Sequence, residues 1–586
     1  MNDYYKRAFF FCDQQIPKAK ALQRTINRAV RRGSKLSSYM DLDEDSVQEL
    51  EDYRTYINKL CRELESRIDQ EGKVSHSGVS SKSDDLLSSS WLLKMSDSDF
   101  IPEYKPTDIA IKLSNEFHHT FGTECSFVVR APGRVNLIGE HIDYNGYPVL
   151  PMALEQAVYI SVGPTSGSDL DKIVLRSTDT QYRPIKIPIT EAITFGCEGS
   201  PDSPEWFHYF QCAYRGIKDY VDKLNLDWTP PSLNVLVGDV EYGGLWPAAG
   251  LSSSSAFVVA SAIAIMRISG LKISRHELAS LCAKCEQYIG MQGGGMDQAA
   301  SVLAVENNAL MIEFTKPFVT VSPIQLPSDM VFVIAHSGVH ARKAATSYYN
   351  ERVAECRLAA KILVRNSPHI TEPSNYSSIT PLCLSDAQKL WKAVSPDEMI
   401  RIQKDGLSIV TRYLPSDITS RENLCNLGLT SPIIEGCLTE NTKTMNHFYL
   451  RDRAEHVYSE AERVFKFYNI CKKIFSNNDS KTNYINYMQL LGDLMNQSQL
   501  SCANLYQCSC RELDKLISVC RSAGAFGSRL TGAGWGGCTV SLVKKSNAEQ
   551  FIAKVREEFY NVIGAGSNND LIFVSQPGRP AGIMVI

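Results

Sequence analysis

The chain lacks several features that would quickly assign it to a class of protein. Its most apolar stretch, residues 256–266 with one serine inside it, is far shorter than the ~20 residues that a membrane-spanning helix needs. The formal net charge of -4 argues against a nucleic-acid or membrane-surface role for the whole chain. The usual P-loop, G-x-x-x-x-G-K-[ST], and the H-R-D and D-F-G motifs of protein kinases are also missing.

Cysteine usage and the N-terminal residues favour a cytoplasmic protein. The 17 cysteines are an odd number without the spacing of a disulfide framework, which indicates reduced thiols. A C-x-x-C at 282–285 and a C-x-C at 508–510 lack the further ligands of a zinc site, so we expect structural thiols there. The apolar segment at residues 8–12 is too short for a secretory signal.

The length and an uneven charge distribution predict several domains. A chain of 586 residues exceeds what one core supports, so two domains or more are expected. Residues 1–100 form a predicted extension: residues 1–35 carry a local charge of +7 and residues 41–70 one of -6. A helix is predicted within 45–70 and a serine-rich linker at 75–90. The extension is either a helical appendage with paired halves or a basic docking arm.

From about residue 109 the sequence has a mixed α/β pattern. Strands are predicted at residues 127–130 (ending in an Ala-Pro-Gly turn), 158–162, 233–237, 331–335 and 539–543. A capping box of Ser274 and Glu277 predicts a helix that Gly290 closes. Apolar periodicity predicts further helices at 457–467 and 483–498. We place a boundary between two lobes near residue 325.

The most informative stretch is residues 131–143. It reads A-P-G-R-V-N-L-I-G-E-H-I-D and concentrates five polar groups in thirteen residues. A core segment would not do this, because buried polar groups cost free energy unless each is hydrogen-bonded. A site that holds a polyhydroxylated ligand would, since carboxylates accept hydrogen bonds from hydroxyls and an imidazole can donate or accept.

A serine-rich segment supplies the features of a phosphate site. Residues 246–256 read W-P-A-A-G-L-S-S-S-S-A and precede the apolar helix predicted at 257–266. Free N–H groups and hydroxyls at a helix N-terminus bind anions readily. A plain serine-rich N-cap is the alternative.

Two glycine-rich runs complete the set of motifs. Residues 290–298 read G-M-Q-G-G-G-M-D-Q and place Asp297 at the start of a helix predicted at 298–304. The helix dipole there favours an ionised carboxylate, which could take a proton from a substrate hydroxyl or could simply cap the helix. Residues 527–538 read G-S-R-L-T-G-A-G-W-G-G-C, either a cleft-lining loop or a glycine-rich hairpin.

Together these motifs, in this order, resemble the galactokinases, which belong to the GHMP small-molecule kinase superfamily. The resemblance runs from about residue 117 to 585, and the wording is most similar to the N-acetylgalactosamine kinases. It implies an α+β, two-lobed GHMP kinase fold with the active site between the lobes. The N-terminal lobe, ribosomal protein S5 domain 2-like, would span 109–325, and a ferredoxin-like C-terminal lobe would span 326–586.

The resemblance also implies residue roles. Catalysis would depend on Asp297 as the base and on Arg134 beside it. The sugar would be held by Arg134, Glu140, His141, Asp143 and Asp297. ATP would be bound by Gly250, Leu251, Ser252, Ser253, Ser254, Ser255 and Trp206, and Mg²⁺ by Ser254 and Glu286. Two points stay open: Ala248 and Ala249 stand where many members carry a glycine, and Trp206 could equally belong to an aromatic core.

The activity implied is ATP-dependent phosphorylation of the anomeric hydroxyl of N-acetylgalactosamine, galactose or both. The three glycines beside Asp297 would make room for an acetamido group at C2. We expect a cytoplasmic monomer whose partners are ATP and a sugar, with no nucleic acid or membrane. The alternative is a non-catalytic galactose/ATP sensor that acts through a protein partner, and the intact serine segment speaks against it. A mevalonate or homoserine kinase is disfavoured, because those substrates present carboxylates that call for basic partners.

Overall fold

The structure is a computed structural model, and the described residues are 99–165, 167–197, 199–201, 204–314, 319–340, 346–370, 383–476, 481–565 and 571–586. The helix and linker predicted within the first hundred residues therefore lie outside the described residues. Residues 101–314 and 320–586 form one compact unit. Across the described ranges, no helix combines the length and apolar character that crossing a bilayer requires.

Fifteen strands are described. They are β1 (Glu103–Tyr104), β2 (Phe127–Ile138), β3 (Leu150–Gly163), β4 (Lys172–Ser177), β5 (Ile185–Pro188), β6 (Leu233–Val237), β7 (Asn308–Glu313), β8 (Thr320–Gln325), β9 (Met330–His336), β10 (Thr419–Ser420), β11 (His447–Phe448), β12 (Gly527–Leu530), β13 (Cys538–Lys544), β14 (Ile572–Ser575) and β15 (Gly582–Val585).

Sixteen α-helices accompany them in the same ranges. They are α1 (Asp108–Phe121), α2 (Ile189–Thr194), α3 (His208–Lys223), α4 (Ser253–Ile268), α5 (Arg275–Cys285), α6 (Met296–Leu303), α7 (Tyr348–Arg365), α8 (Leu384–Leu390), α9 (Pro396–Ile400), α10 (Ile409–Tyr413), α11 (Arg421–Asn426), α12 (Ser431–Cys437), α13 (Leu450–Ser476), α14 (Lys481–Ser501), α15 (Arg511–Ser522) and α16 (Ala548–Val555).

Seven strands form the larger sheet, in the order β1-β15-β2-β3-β6-β4-β5. β15 lies between β1 and β2, so the C-terminal part of the sequence returns to a sheet built mainly from the N-terminal part. The lobe boundary near residue 325 stays a prediction, and β15 shows that sequence position alone does not assign a strand to a sheet.

β2 carries the first motif and is buried along its whole length. We expected this strand to end at the Ala-Pro-Gly turn, and that expectation was wrong. The pairing of β2 with β3 continues past Pro132 and Gly133 as far as Ile138, with a register shift between Pro132 and Arg134. A bulge of this kind bends a strand and re-aims side chains without ending the ladder.

α4 packs against β2 and β3, and its residues from Ser255 to Met266 are all buried. A helix that is apolar on every side is stable only inside a core, which explains why this segment carries so few polar residues. α5 begins with the predicted capping box, in which Ser274 and Glu277 bond each other's backbone N–H groups. Gly290, at φ 86°, closes the short 3₁₀ turn that follows α5, as predicted.

The second sheet has four antiparallel strands in the order β12-β13-β9-β14. α15 and α16 cover it through a cluster that includes Val333, Leu516 and Phe551. Two long helices, α13 and α14, include the predicted segments 457–467 and 483–498. α13 buries a stripe that recurs every three or four residues: Val457, Ala461, Val464, Phe467 and Cys471. The α+β prediction is confirmed.

Candidate functional site

Two cavities meet at the side chains of Arg134 and Asp297, which line both. The larger is a cleft of about 1240 Å³. The smaller, which we call the recess, holds about 20 Å³. That is room for roughly one water molecule, so a hexose can enter the recess only if the side chains lining it move apart.

Asp297 and Arg134 form a buried ion pair at this junction. Both Nε and one terminal nitrogen of Arg134 donate to Oδ1 of Asp297, at 2.7 and 2.6 Å. The other oxygen, Oδ2, lies 3.5 Å from the Ser255 hydroxyl. Asp297 sits in the first turn of α6, where the helix dipole favours a negative charge. The pair therefore holds an ionised carboxylate where the two cavities join.

Arg134 also ties the first motif to the serine-rich segment. Its second terminal nitrogen donates to the Gly250 carbonyl at 2.9 Å, and its backbone N–H donates to the Leu251 carbonyl at 3.2 Å. The Leu251 side chain is buried, so only its backbone faces the motif. Ser255 is buried against Asp297, which leaves the half-buried Ser252, Ser253 and Ser254 on the wall of the cleft.

α4 begins at Ser253, so its first turn opens on the cleft. The first N–H groups of a helix have no intrahelical partner, which makes this a site for anions. Two residues before the helix have left-handed backbones without being glycine: Ala248 at φ 56° and Ser252 at φ 59°. Ala248 and Ala249 stand where many members of the superfamily carry a glycine, and the left-handed backbone of Ala248 is strained for an alanine.

Ser254 and Glu286 both interact with the Tyr209 hydroxyl. Burial raises the pKa of Tyr209, the charge of Glu286 raises it further, and a hydrogen bond with Ser254 opposes the shift. Ser254 lines the cleft, and the buried Glu286 lines the recess. A hydroxyl and a carboxylate are oxygen donors of the kind that Mg²⁺ prefers, with phosphate oxygens and water completing the shell.

Trp206 stands on the cleft wall and within an aromatic cluster. Its ring centroid lies 5.7 Å from that of Tyr182 and 6.2 Å from that of Phe257. The two interpretations made from the sequence are therefore compatible, and stacking of Trp206 on adenine stays a prediction.

Glu140 is fully buried beneath the recess, with Arg529 beside it. Its Oε1 accepts from the Gly532 N–H at 2.8 Å and lies 3.6 Å from Arg529. Burial raises the pKa of the Glu140 carboxyl above its usual value, and Arg529 and Arg134 oppose that shift.

Both ring nitrogens of His141 bond to the protein. Nε2 lies 2.9 Å from the Ala533 carbonyl, and because a carbonyl only accepts, this nitrogen donates. Nδ1 lies 2.8 Å from the Tyr144 hydroxyl, which in turn bonds the hydroxyl of Tyr506 at 2.6 Å. His141 lines the recess, and its Nε2 bond joins the first motif to the last glycine-rich loop. Its contact with a sugar stays a prediction.

Asp143 also lines the recess, and it anchors the glycine triplet. Its Oδ2 accepts from the Gly294 N–H at 3.2 Å. A Cβ on Gly294 would lie 2.4 Å from the backbone of Asp143 and Tyr144, so only glycine allows this approach. Gly295 has φ 103°, whereas a Cβ on Gly293 would meet only the Tyr349 hydroxyl at 4.0 Å. The three glycines therefore differ: Gly294 allows a close backbone approach, Gly295 has a left-handed backbone, and Gly293 leaves open space.

Comparison with known proteins shows that these motifs belong to domains of one protein family. Residues 115–164 match the galactokinase galactose-binding signature, 209–304 the N-terminal domain of GHMP kinases and 485–561 the C-terminal domain of GHMP kinases. The chain is 37% identical to the galactokinase of Dictyostelium discoideum over 473 residues, 78% of this chain and 90% of that protein. The chain belongs to the galactokinase family.

Further relatives agree with this assignment. The Saccharomyces cerevisiae galactokinase is 32% identical over 511 residues, 79% of this chain and 92% of that one. The crystal structure of Lactococcus lactis galactokinase complexed with galactose superposes with a TM-score of 0.57 at 22% identity, covering 80% of this chain and 98% of that one. The predicted GHMP kinase fold and galactokinase relationship are both confirmed.

Three residues of this galactokinase-family site were missed in the sequence. Tyr349, on α7, is buried and lines the recess. Arg529 and Glu460 are fully buried and pack around Glu140 and its backbone. Arg529 lies within the glycine-rich run 527–538. A charged residue among so many glycines is a local signal that could have marked it as part of the site. Tyr349 and Glu460 sit in ordinary amphipathic helices, and nothing in their local sequence marks them.

Proposed function

We propose that the protein is an ATP-dependent sugar 1-kinase that phosphorylates the anomeric hydroxyl of galactose, N-acetylgalactosamine or both. The observation that carries the proposal is the Arg134–Asp297 pair at the junction of a nucleotide-sized cleft and a polar recess. The sugar would occupy the recess and ATP the cleft. Membership of the galactokinase family supports the same arrangement.

In this reaction the C1 hydroxyl oxygen of the sugar attacks the γ-phosphorus of ATP. The bond between that phosphorus and the β–γ bridging oxygen breaks, and the products are the sugar 1-phosphate and ADP. Asp297 accepts the hydroxyl proton. The Arg134 guanidinium keeps Asp297 ionised and offsets charge on the transferring phosphoryl group, while the first turn of α4 receives the phosphates.

Mg²⁺ fits the donor set on the boundary of the two cavities. Ser254 and Glu286 would hold it, and when bound it would neutralise charge on the phosphate oxygens. Both side chains interact with Tyr209, which is half-buried in the cleft wall. Trp206 would contribute an aromatic surface for adenine at the other part of the cleft.

The choice between the two sugars depends on space around C2. Gly293 lines the recess, and of the three glycines it alone leaves open space where a side chain would stand. An acetamido group could lie against Gly293, below the Tyr349 hydroxyl. We therefore propose that N-acetylgalactosamine is a substrate, with the single Gly293 position, rather than the whole triplet, providing the room.

ATP consumption measured over a panel of free sugars, with the Asp297→Asn variant as control, tests the proposal. We expect turnover with galactose, N-acetylgalactosamine or both, and its loss in the variant. Tight sugar binding without any ATP consumption would overturn the enzyme assignment in favour of a sensor. Strong preference for galactose over N-acetylgalactosamine at equal concentration would overturn only the proposal that the recess accepts an acetamido group at C2. The kinase assignment would stand.

A further inference from the structure

The turn that carries Glu140 rests on one buried carboxylate of α13, Glu460. Its Oε1 accepts from the backbone N–H groups of Gly139 and Glu140, at 2.9 and 3.3 Å. The same oxygen accepts from the Ser498 hydroxyl on α14 at 2.6 Å. Gly139 has φ 111°, a left-handed backbone that glycine adopts readily. Glu460 therefore bonds directly to the main chain of the sugar-binding motif, more than 300 residues away in sequence.

Glu460 stays ionised although it is wholly buried. Burial raises its pKa, but the charges of Arg463 and Arg529 outweigh that effect and the pKa falls to about 2. Arg463 donates to its Oε2 at 2.7 Å. Hydrogen bonds to an ionised acceptor are stronger than those between neutral groups, so the two backbone bonds hold the turn firmly.

Arg529 links this carboxylate to the one beneath the recess. Its terminal nitrogens lie 3.8 Å from Glu460 and 3.6 Å from Glu140. A second residue of α13, His456, donates from Nε2 to the Glu140 carbonyl at 3.1 Å. One face of α13 thus contacts the Glu140 backbone and, through Arg529, its side chain.

We propose that Glu460 is a positioning residue for the sugar site: it fixes Glu140 beneath the recess and has no part in binding the nucleotide. The proposal rests on the proposed function, since it assumes that sugar binds over Glu140. Glu460 forms its hydrogen bonds and ion pairs with the first motif, Ser498, Arg463 and Arg529, whereas the serine-rich wall of the cleft is formed by the segment before α4 and the first turn of that helix. Loss of the Glu460 charge should therefore affect sugar and ATP unequally.

The test compares Glu460→Gln with Tyr458→Phe in the full chain. Tyr458 lies on the same helix, is fully buried, and donates a hydrogen bond to the Leu384 carbonyl of α8 at 3.0 Å rather than to the turn. Sugar-dependent ATP consumption is measured with each substrate varied in turn, alongside the thermal unfolding midpoint. We expect the sugar KM of Glu460→Gln to rise about tenfold or more, because charged hydrogen bonds to the turn are weakened. The ATP KM should stay within about twofold of wild type.

Tyr458→Phe should lower the unfolding midpoint and leave both KM values unchanged. If the sugar KM of Glu460→Gln rises no more than that of Tyr458→Phe, or if both substrates' KM values rise together, Glu460 is only a structural residue. Should Glu460→Gln fail to fold, Ser498→Ala removes one bond to Oε1 and is expected to raise the sugar KM alone, to a smaller extent. An unchanged sugar KM in Ser498→Ala would then overturn the proposal. A wild-type protein without sugar-dependent turnover would overturn the proposed function instead.

Discussion

The cleft and the recess are built in opposite ways. The cleft is wide, and the part of its wall proposed to face phosphate comes from one continuous stretch: the segment before α4 and the first turn of that helix. The recess is narrow and rests on a buried charge cluster assembled from the turn after β2, from α13 and from β12. Backbone groups suffice to bind a phosphate, whereas fixing a particular set of sugar hydroxyls takes side chains held by distant parts of the chain.

The largest effect should come from Asp297, which lines both cavities together with Arg134 and Ala533. Asp297→Asn keeps the size of the side chain but cannot accept the hydroxyl proton, so we expect kcat to fall by about 10²- to 10⁴-fold. Single-turnover phosphoryl transfer, with sugar binding measured by calorimetry, checks this. Activity within about tenfold of wild type would show that proton transfer to Asp297 is not needed.

Substitution of Glu140 should change the sugar KM alone, and it should remove a pH dependence that the wild-type sugar KM shows. Burial raises the pKa of Glu140 above 4.5, so as the pH falls this carboxylate takes up a proton before an ordinary one does. A protonated Glu140 accepts hydrogen bonds less well, and the sugar KM should therefore rise toward acidic pH. Glu140→Gln should have a sugar KM raised by about ten- to hundredfold at neutral pH and free of this acid dependence. If the sugar KM of the variant rises toward acidic pH as it does in the wild type, another group causes that pH dependence.

On the cleft side, Ser254→Ala should weaken the use of MgATP and leave sugar binding intact. We expect the Mg²⁺ concentration needed for half-maximal rate to rise by about tenfold, since one oxygen donor is lost. Titration of Mg²⁺ at fixed ATP measures this, and Ser253→Ala is the matched control on the same turn. Equal effects of the two substitutions would remove Ser254 from the metal site.

Gly293 allows the recess to be narrowed without disturbing its backbone. Gly293→Val should reduce kcat/KM for N-acetylgalactosamine by about tenfold, because the valine side chain would occupy the space proposed for the acetamido group. Galactose serves as the internal control and should lose far less. A parallel loss for both sugars would place the C2 substituent elsewhere.

The smallest expected effect concerns stability on the cleft side. Ala248 has a left-handed backbone that costs an alanine about 1 kcal/mol more than a glycine, and the extra flexibility of glycine in the unfolded chain offsets part of this. Ala248→Gly should therefore raise the free energy of unfolding by about 0.5 kcal/mol, measured by urea denaturation. A clear loss of stability would show that the neighbouring contacts already compensate for the strain.

The contrast between a wall built from one stretch and a recess built from distant parts of the chain also explains what could be predicted from the sequence. The capping box at Ser274 and Glu277 could be predicted because its two residues identify it locally. The roles of Ser254 and Asp297 rest on the resemblance to the galactokinases and stay predictions. The structure brings Arg134 and Asp297 together as expected. The support of the recess was not found, because Glu460 looks like any polar residue of an amphipathic helix until the fold places it against Gly139.

Backbone geometry was the second feature that could not be predicted from the sequence. The Pro132–Gly133 dipeptide has the composition of a turn, yet β3 pairs on both sides of it and the strand continues through a bulge. Tertiary pairing outweighed local turn preference there, since ending the strand would have left buried backbone groups unbonded. Likewise, no local pattern shows that β15 belongs between β1 and β2.

The place of β15 has a consequence for how the protein is made. A ribosome delivers β2 hundreds of residues before the strand that must pair with its edge. Until then the growing chain exposes unpaired N–H and C=O groups, the kind of edge on which aggregation starts. Translation that terminates just before Gly582 would release a polypeptide in which neither β1 nor β2 has β15 to pair with, so nonsense mutations there should prevent the larger sheet from forming.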